Sequence, residues 1–170
     1  MDESGAPGQA DPRLPDIEEL LALDLLTLRD HTERAGDRLE PAAHRALLVG
    51  TQALSETIGV RRGGALAAYA MLSPQPDGCW FVSGFNIHPA HRDASVLRAL
   101  FAAIARLARR RAIASLRSHV YKTNARSLAF HRRLGFRVTR ENAKAVEFTA
   151  TLDELRGASR AVRAARPGAD

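Results

Sequence analysis

Residues 86–136 read NIHPAHRDASVLRALFAAIARLARRRAIASLRSHVYKTNARSLAFHRRLGF, and the order of elements along this stretch decides the fold. It begins inside residues 79–88, a run rich in aromatic and β-branched side chains that reads as a buried strand with a glycine in it. Beyond the turn at Pro89, the residues Val96, Leu97, Leu100, Phe101, Ile104 and Leu107 recur at helical spacing, which predicts a helix over 95–111. Residues 116–121 alternate as a strand does, with Leu116, Ser118 and Val120 on one face. Asn124 then stands at an N-cap position. Gly135 closes the helix it starts, and Phe136 offers the apolar contact of a Schellman-type end.

Working outward, Gly63-Gly64 separates two apolar runs, 58–62 and 65–72, as a hairpin turn, and 73–78 is a second turn. Upstream, Asp16 caps a helix with Glu18 and Glu19 in its first turn and Ile17, Leu20, Leu21, Leu25 and Leu28 as its apolar stripe. A second helix from Pro41 to about Glu56 is expected to bury Leu47, Leu48 and Leu54. Downstream, 136–140 and 145–152 form two strands around a turn at 141–144. The sum is an α/β (α+β) fold: a mixed, mostly antiparallel sheet flanked by helices, with two helices before its central strands. Residues 16–155 are expected to be a single domain, 1–15 an irregular or disordered arm, and 156–170 a flexible basic tail.

Composition narrows the classes. With 170 residues, 45% hydrophobic and 26% charged, the chain can bury a core of its own. A single cysteine, Cys79, excludes an internal disulfide and a cysteine metal site, and fits a reducing, cytoplasmic setting. No signal peptide is expected of the acidic, polar start, and no run of ~20 apolar residues is present. The six histidines contain no His-x-x-x-His pair, so no metal is expected. Ser83 lacks a nucleophile elbow. Cys79, Trp80, Phe81 and Phe85 read as core, with one aromatic ring available to line an acyl pocket. Net charge is +6, and cations crowd the chain after Arg92. Such a field suits a nucleotide cofactor, an acidic carrier protein or nucleic acid; the plainer reading is a solvated basic face.

The stretch NARSLAFHRRLGF resembles the C-terminal motif of the GNAT acyltransferase superfamily, and HPAHRDASVLRAL resembles that superfamily's donor-binding motif, over about residues 58–152 in all. The resemblance implies acyl transfer, acetyl by default, from acetyl-CoA or another acyl-CoA as co-substrate to an amine, with no metal. It also implies site residues. Ile87 would meet the pantetheine arm; Arg92, Asp93, Ala94, Ser95, Val96 and Leu97 would hold the pyrophosphate; Asn124 would lie near the thiol end. The loop departs from the family pattern: both glycines are replaced, Leu97 stands at a small-residue position, and Asp93 brings a like charge to the anion. His131 occupies the position of the family's tyrosine and is expected to protonate the leaving thiolate. Candidate bases are His88, His119, Glu56 and Glu147, and the amide of Ile87 or His88 is the candidate oxyanion donor. Expected partners are a small-molecule or peptide amine, an acidic acyl-carrier protein and a second copy of the chain; membrane and nucleic acid are not. The competing reading is a catalytically eroded module of the same fold that binds a ligand, protein or nucleic acid through its basic face.

Overall fold

The computed structural model describes residues 9–11 and 14–157. Asp16 accepts from the Glu19 amide (2.8 Å) while the Glu19 carboxylate accepts from the Asp16 amide (3.0 Å), a capping box that starts α1, Ile17–Arg34. α2, Pro41–Ala53, opens on proline, whose missing N–H costs nothing at that position. Its inward stripe is narrower than its leucines suggest. Leu48 is buried, but Leu47 and Leu54 are 62% and 77% exposed, which corrects the burial expected of them. At ~100° per residue, the row that passes through Leu48 runs through His44 and Gln52, not through its neighbours.

Seven strands form one sheet: β1 (Gln9–Asp11), β2 (Glu56–Arg62), β3 (Ala65–Pro74), β4 (Trp80–Ile87), β5 (Ser115–Tyr121), β6 (Arg137–Glu141) and β7 (Ala145–Thr151). Their order is β1-β2-β3-β4-β5-β7-β6, and among the described residues only the β4–β5 pair is parallel. This is the mixed, mostly antiparallel sheet the sequence predicts. β1 lies in the arm expected to be irregular; its three residues instead pair with the outer edge of β2, whose backbone groups would otherwise lack partners. The remainder of that arm, apart from Leu14 and Pro15, and the tail after 157 lie outside the described residues.

The parallel pair needs a crossover, and α3, Ala94–Arg110, supplies it. α3 packs Val96, Leu100 and Leu107 on Ala68, Ala70 and Phe148 of one sheet face; the alanines let the helix approach closely. α1 and α2 cover the opposite face through Leu20, Leu23 and Leu48 against Tyr69 and Met71. α4, Ala125–Arg133, ends as expected: the Phe136 amide reaches the His131 carbonyl (3.0 Å) and Gly135 takes φ 93°, the left-handed position of a Schellman end.

One irregularity creates the site. Leu72 pairs with Val82 and Met71 with Gly84, so Ser83 is an extra, bulged residue in β4. At the same point β4 leaves β5. Their ladder runs only from Trp80↔Leu116 to Val82↔Ser118, and the C-terminal half of β4 has no partner on that side.

Candidate active site

The opening past Val82 and Ser118 has an exposed backbone edge. The His88 amide donates to the Ala67 carbonyl (2.8 Å), so Ala68 and Ile87 form a pair without mutual hydrogen bonds. In an antiparallel ladder the N–H and C=O of such a residue point away from its partner strand. Ile87 therefore turns both groups into the opening. The same bond removes the His88 amide from the candidate oxyanion donors and leaves that of Ile87. On the α3 face the opening is lined by Phe85, Phe101 and Phe130, with ring centroids 5.7–6.1 Å apart. Phe85 is thus a lining residue, while Phe81 sits on the other face against His119 (5.0 Å). Cys79 is buried, with its sulfur 3.6 Å from the Ser115 carbonyl, and packs.

His131 lies on the α3 face, stacked on Phe148 (4.9 Å). Its Nδ1 is 2.8 Å from the Ser127 carbonyl, which can only accept, so the ring proton sits on Nδ1. Nε2, 3.1 Å from Ser118 Oγ, then accepts from that hydroxyl. Burial holds the imidazole below its ordinary pKa, opposed only by the Ser127 carbonyl. As placed, the ring is a proton acceptor. An acid role would need a proton on Nε2.

At the mouth of the opening, helix α3 begins at Ala94, one residue before the expected Ser95, because Asp93 caps it. Asp93 Oδ1 accepts from the Ser95 amide (2.8 Å), the Val96 amide (3.1 Å) and the Ser95 hydroxyl (2.7 Å), and Oδ2 accepts from Arg62 (2.5 Å). These bonds, the Ser95 hydroxyl first, hold the carboxyl well below the usual carboxylate range. The Leu97 amide is spent on the Asp93 carbonyl (3.2 Å), an ordinary helical bond. Arg92 is exposed and makes no ion pair among the described residues; partial burial and then the charge of Arg126 lower its pKa. Asn124 caps α4, its side-chain oxygen accepting from the Ser127 amide (3.0 Å). Arg98, Arg106, Arg109, Arg126, Arg132 and Arg133 of α3 and α4 also form no ion pair among the described residues. Other cations are paired: Arg111 with Glu56, Arg117 with Asp77, Lys122 with Glu141, Arg137 with Glu154. Of the arginines in no such pair, Arg92 and Arg98 lie at the start of α3 and Arg126 at the start of α4, whereas Arg106 and Arg109 lie towards the far end of α3 and Arg132 and Arg133 at that of α4.

The α1 face carries two polar groupings. On β5, the first residue past the split, His119, meets Glu147 of β7, with Nε2 3.0 Å from the carboxylate. That bond is the main reason the Glu147 carboxyl titrates below its ordinary value. Two of the four candidate bases are thus brought together. The other two are occupied elsewhere: His88 accepts the Ala90 amide (3.1 Å), and Glu56 pairs with Arg111. The second grouping was not anticipated. Asp24 of α1, 2% exposed, accepts from Tyr69, from Asn86 (2.7 Å) and from His44 (2.7 Å). Burial and then the Asp24 charge push the Tyr69 phenol well above its ordinary pKa, so it stays a donor. A signal existed: Asp24 stands four residues after Leu20, inside an apolar stripe, where an unpaired carboxylate would be costly. Farther along α1, the His31 carbonyl accepts from Thr123 (2.7 Å), just after β5. Held to β4 through Asp24 near its middle and to the end of β5 through His31 near its C-terminal end, α1 bridges the opening.

The profile of the Acetyltransferase (GNAT) family matches residues 18–136, well over half of the chain. This chain is a GNAT acetyltransferase family member. A search of curated proteins by sequence finds no match. Among solved structures it is similar to the PaiA N-acetyltransferase from Thermoplasma acidophilum in complex with coenzyme A (TM-score 0.65, 14% identity, 84% of this chain and 99% of that one). It is also similar to the ribosomal-protein-S18-alanine N-acetyltransferase from Escherichia coli (TM-score 0.60, 16% identity, 85% and 94%). A third is YncA from Salmonella typhimurium with its cofactor acetyl-CoA (TM-score 0.52, 18% identity, 84% and 93%). At these identities the likeness is one of fold. The edge of Ile87 that β5 leaves open has room to pair with a pantetheine arm, whereas the amides at the start of α3 are taken by the chain's own Asp93 carboxylate. Among the described residues no His/Cys/Asp/Glu group is arranged for a metal, and no helix is long and apolar enough to cross a membrane.

Proposed function

We propose that this GNAT protein transfers an acyl group, acetyl by default, from an acyl-CoA thioester to a primary amine. One observation carries the reading: the β4–β5 ladder stops at Val82↔Ser118 and leaves Ile87 with its N–H and C=O turned into the gap. Acyl-CoA, when bound, supplies an acyl carbon already activated for attack by an amine.

The chain's own groups have the following tasks. Ile87 pairs with the arm's amide groups, and its N–H is the candidate donor to the oxyanion. Phe85, Phe101 and Phe130 keep water from the acyl group on the α3 face. Arg92 and the N-terminal end of α3 face the phosphates, and Asn124 borders the thiol end. On the α1 face, Glu147 accepts from His119 Nε2 and so leaves the Nδ1 lone pair free to take the amine's proton. A thiol with pKa of about 8.5 leaves readily and can take its proton from water, so no side-chain acid is required. His131 then serves by holding Ser118 and packing on Phe148.

The test combines acetyl-CoA with short peptides beginning in alanine or serine and with simple diamines, reading free thiol. His119→Gln should lower kcat/KM by about 10²–10⁴, with CoA affinity by calorimetry unchanged; a wild-type rate in that variant removes His119 from the mechanism. Absence of both thiol release and CoA binding leaves the second reading, a polyanion-binding module using the arginines of α3 and α4. The carboxylate at the start of α3 is the observation that favours it.

A further inference from the structure

The seat that would receive the donor's diphosphate is filled by the chain itself. One oxygen of Asp93 takes the Ser95 and Val96 amides and the Ser95 hydroxyl, and the other takes Arg62 Nη1. Arg62 Nη2 also donates to Ser95 Oγ (2.6 Å), so β2, the loop and the helix start are tied into one closed set of charge-assisted bonds. The Ser95 and Val96 amides, the Ser95 hydroxyl and Arg62, which a phosphate oxygen would seek at the first turn of α3, are already engaged. The amides face a charge that is covalently attached and therefore present at very high local concentration. A phosphate arriving beside an unmoved Asp93 would also meet a like charge at contact distance.

We propose that Asp93 is a specificity-determining residue that occupies the phosphate seat, so the donor is selected on its pantetheine arm and gains little affinity from its nucleotide end. This inference rests on the acyl-transfer reading for the location of the donor. Binding a diphosphate at α3 requires the Asp93 side chain to rotate out, releasing the two amides, the Ser95 hydroxyl and Arg62 to the incoming oxygens. The free-energy gain of the new bonds is offset by loss of the old ones. Donors that end at the pantetheine leave the cap in place and lose nothing. Arg92, Arg98 and Arg126, near the starts of α3 and α4, still attract any anion to this region, but attraction at long range is screened by salt and does not replace the occupied bonds.

Two substitutions separate the effects. Asp93→Asn keeps a capping side chain but removes the charge; Asp93→Gly removes the occupant and is also tolerated at an N-cap. Calorimetry of the full chain would use coenzyme A and pantetheine as probes, at low and at physiological salt. For Asp93→Gly, the Kd for coenzyme A should fall by roughly three- to thirtyfold, the equilibrium worth of one N-cap, while the Kd for pantetheine stays the same. Asp93→Asn should move the same way by less. Wild-type protein should bind the two probes within about tenfold of each other, a spread comparable with that same N-cap worth. The proposal is overturned if Asp93→Gly, shown folded by circular dichroism, leaves coenzyme A affinity unchanged or weaker, or if pantetheine tightens equally. Acyl transfer that proceeds normally alongside such a result would sink only the role of Asp93. No binding of either probe by any of the three proteins would sink both this inference and the acyl-transfer reading.

Discussion

Replacing Asp24 tests whether the buried polar cluster is what ties α1 and α2 to β4. Asp24 is 2% exposed and serves three donors at once: Tyr69 and Asn86 on one oxygen, His44 on the other. Asp24→Asn keeps the shape. Its oxygen can still serve Tyr69 and Asn86, and its new NH₂ can face His44 if that ring moves its proton from Nε2 to Nδ1 and accepts. Only the charge assistance is lost, about 1–2 kcal/mol. Asp24→Ala strands three donors, each worth about 1–3 kcal/mol, and partial access of His44 to water trims the total to about 3–5 kcal/mol. Urea unfolding followed by circular dichroism should give these two losses with an unchanged m-value. Thermal midpoints should drop by about 2–8 °C for the asparagine and about 6–20 °C for the alanine. Nitrogen chemical shifts should report the switch of tautomer at His44 in the asparagine variant. If alanine costs no more than asparagine, the cluster is not holding the helices, and the argument is wrong.

Because burial lowers the His131 pKa, its neutral form stabilises the fold above the unfolded value of about 6.5, and that contribution is lost as pH falls through the folded value. Urea midpoints at pH 7.5 and 5 should therefore converge between wild type and His131→Phe; a constant difference would contradict the placement of the ring. The same variant should keep turnover within about tenfold, whereas loss of a general acid would cost about 10²–10⁴. At Gly84 an added Cβ would lie 2.6 Å from a Tyr69 ring carbon and 3.1 Å from Met71. Gly84→Ala should cost about 1–3 kcal/mol and distort β4 where it borders the opening; a wild-type melting temperature would argue against that packing.

What the sequence alone determined was everything set by local pattern. The periods of α3, β5 and α4, the caps at Asp16 and Asn124, and the glycine end at Gly135 were legible because each depends on residues within a few positions of one another. So was the candidate donor loop, the run from Ile87 to Leu97, and so was the loss of its glycines. The outcome of that loss was not. Whether Asp93 repels a phosphate or replaces it depends on Arg62, which reaches it from β2, 31 residues away in the chain. The hydrogen bonds of His131 were hidden for a similar reason: only packing brings Ser118 and Phe148 to its ring. His119 and Glu147 were separate candidates until β5 and β7 paired. The Asp24 cluster draws on four elements, and nothing short of their assembly reveals three donors converging on one carboxylate. Spacing along a chain fixes which faces a segment presents; the proton positions and charges at a site are fixed by what other segments place against them.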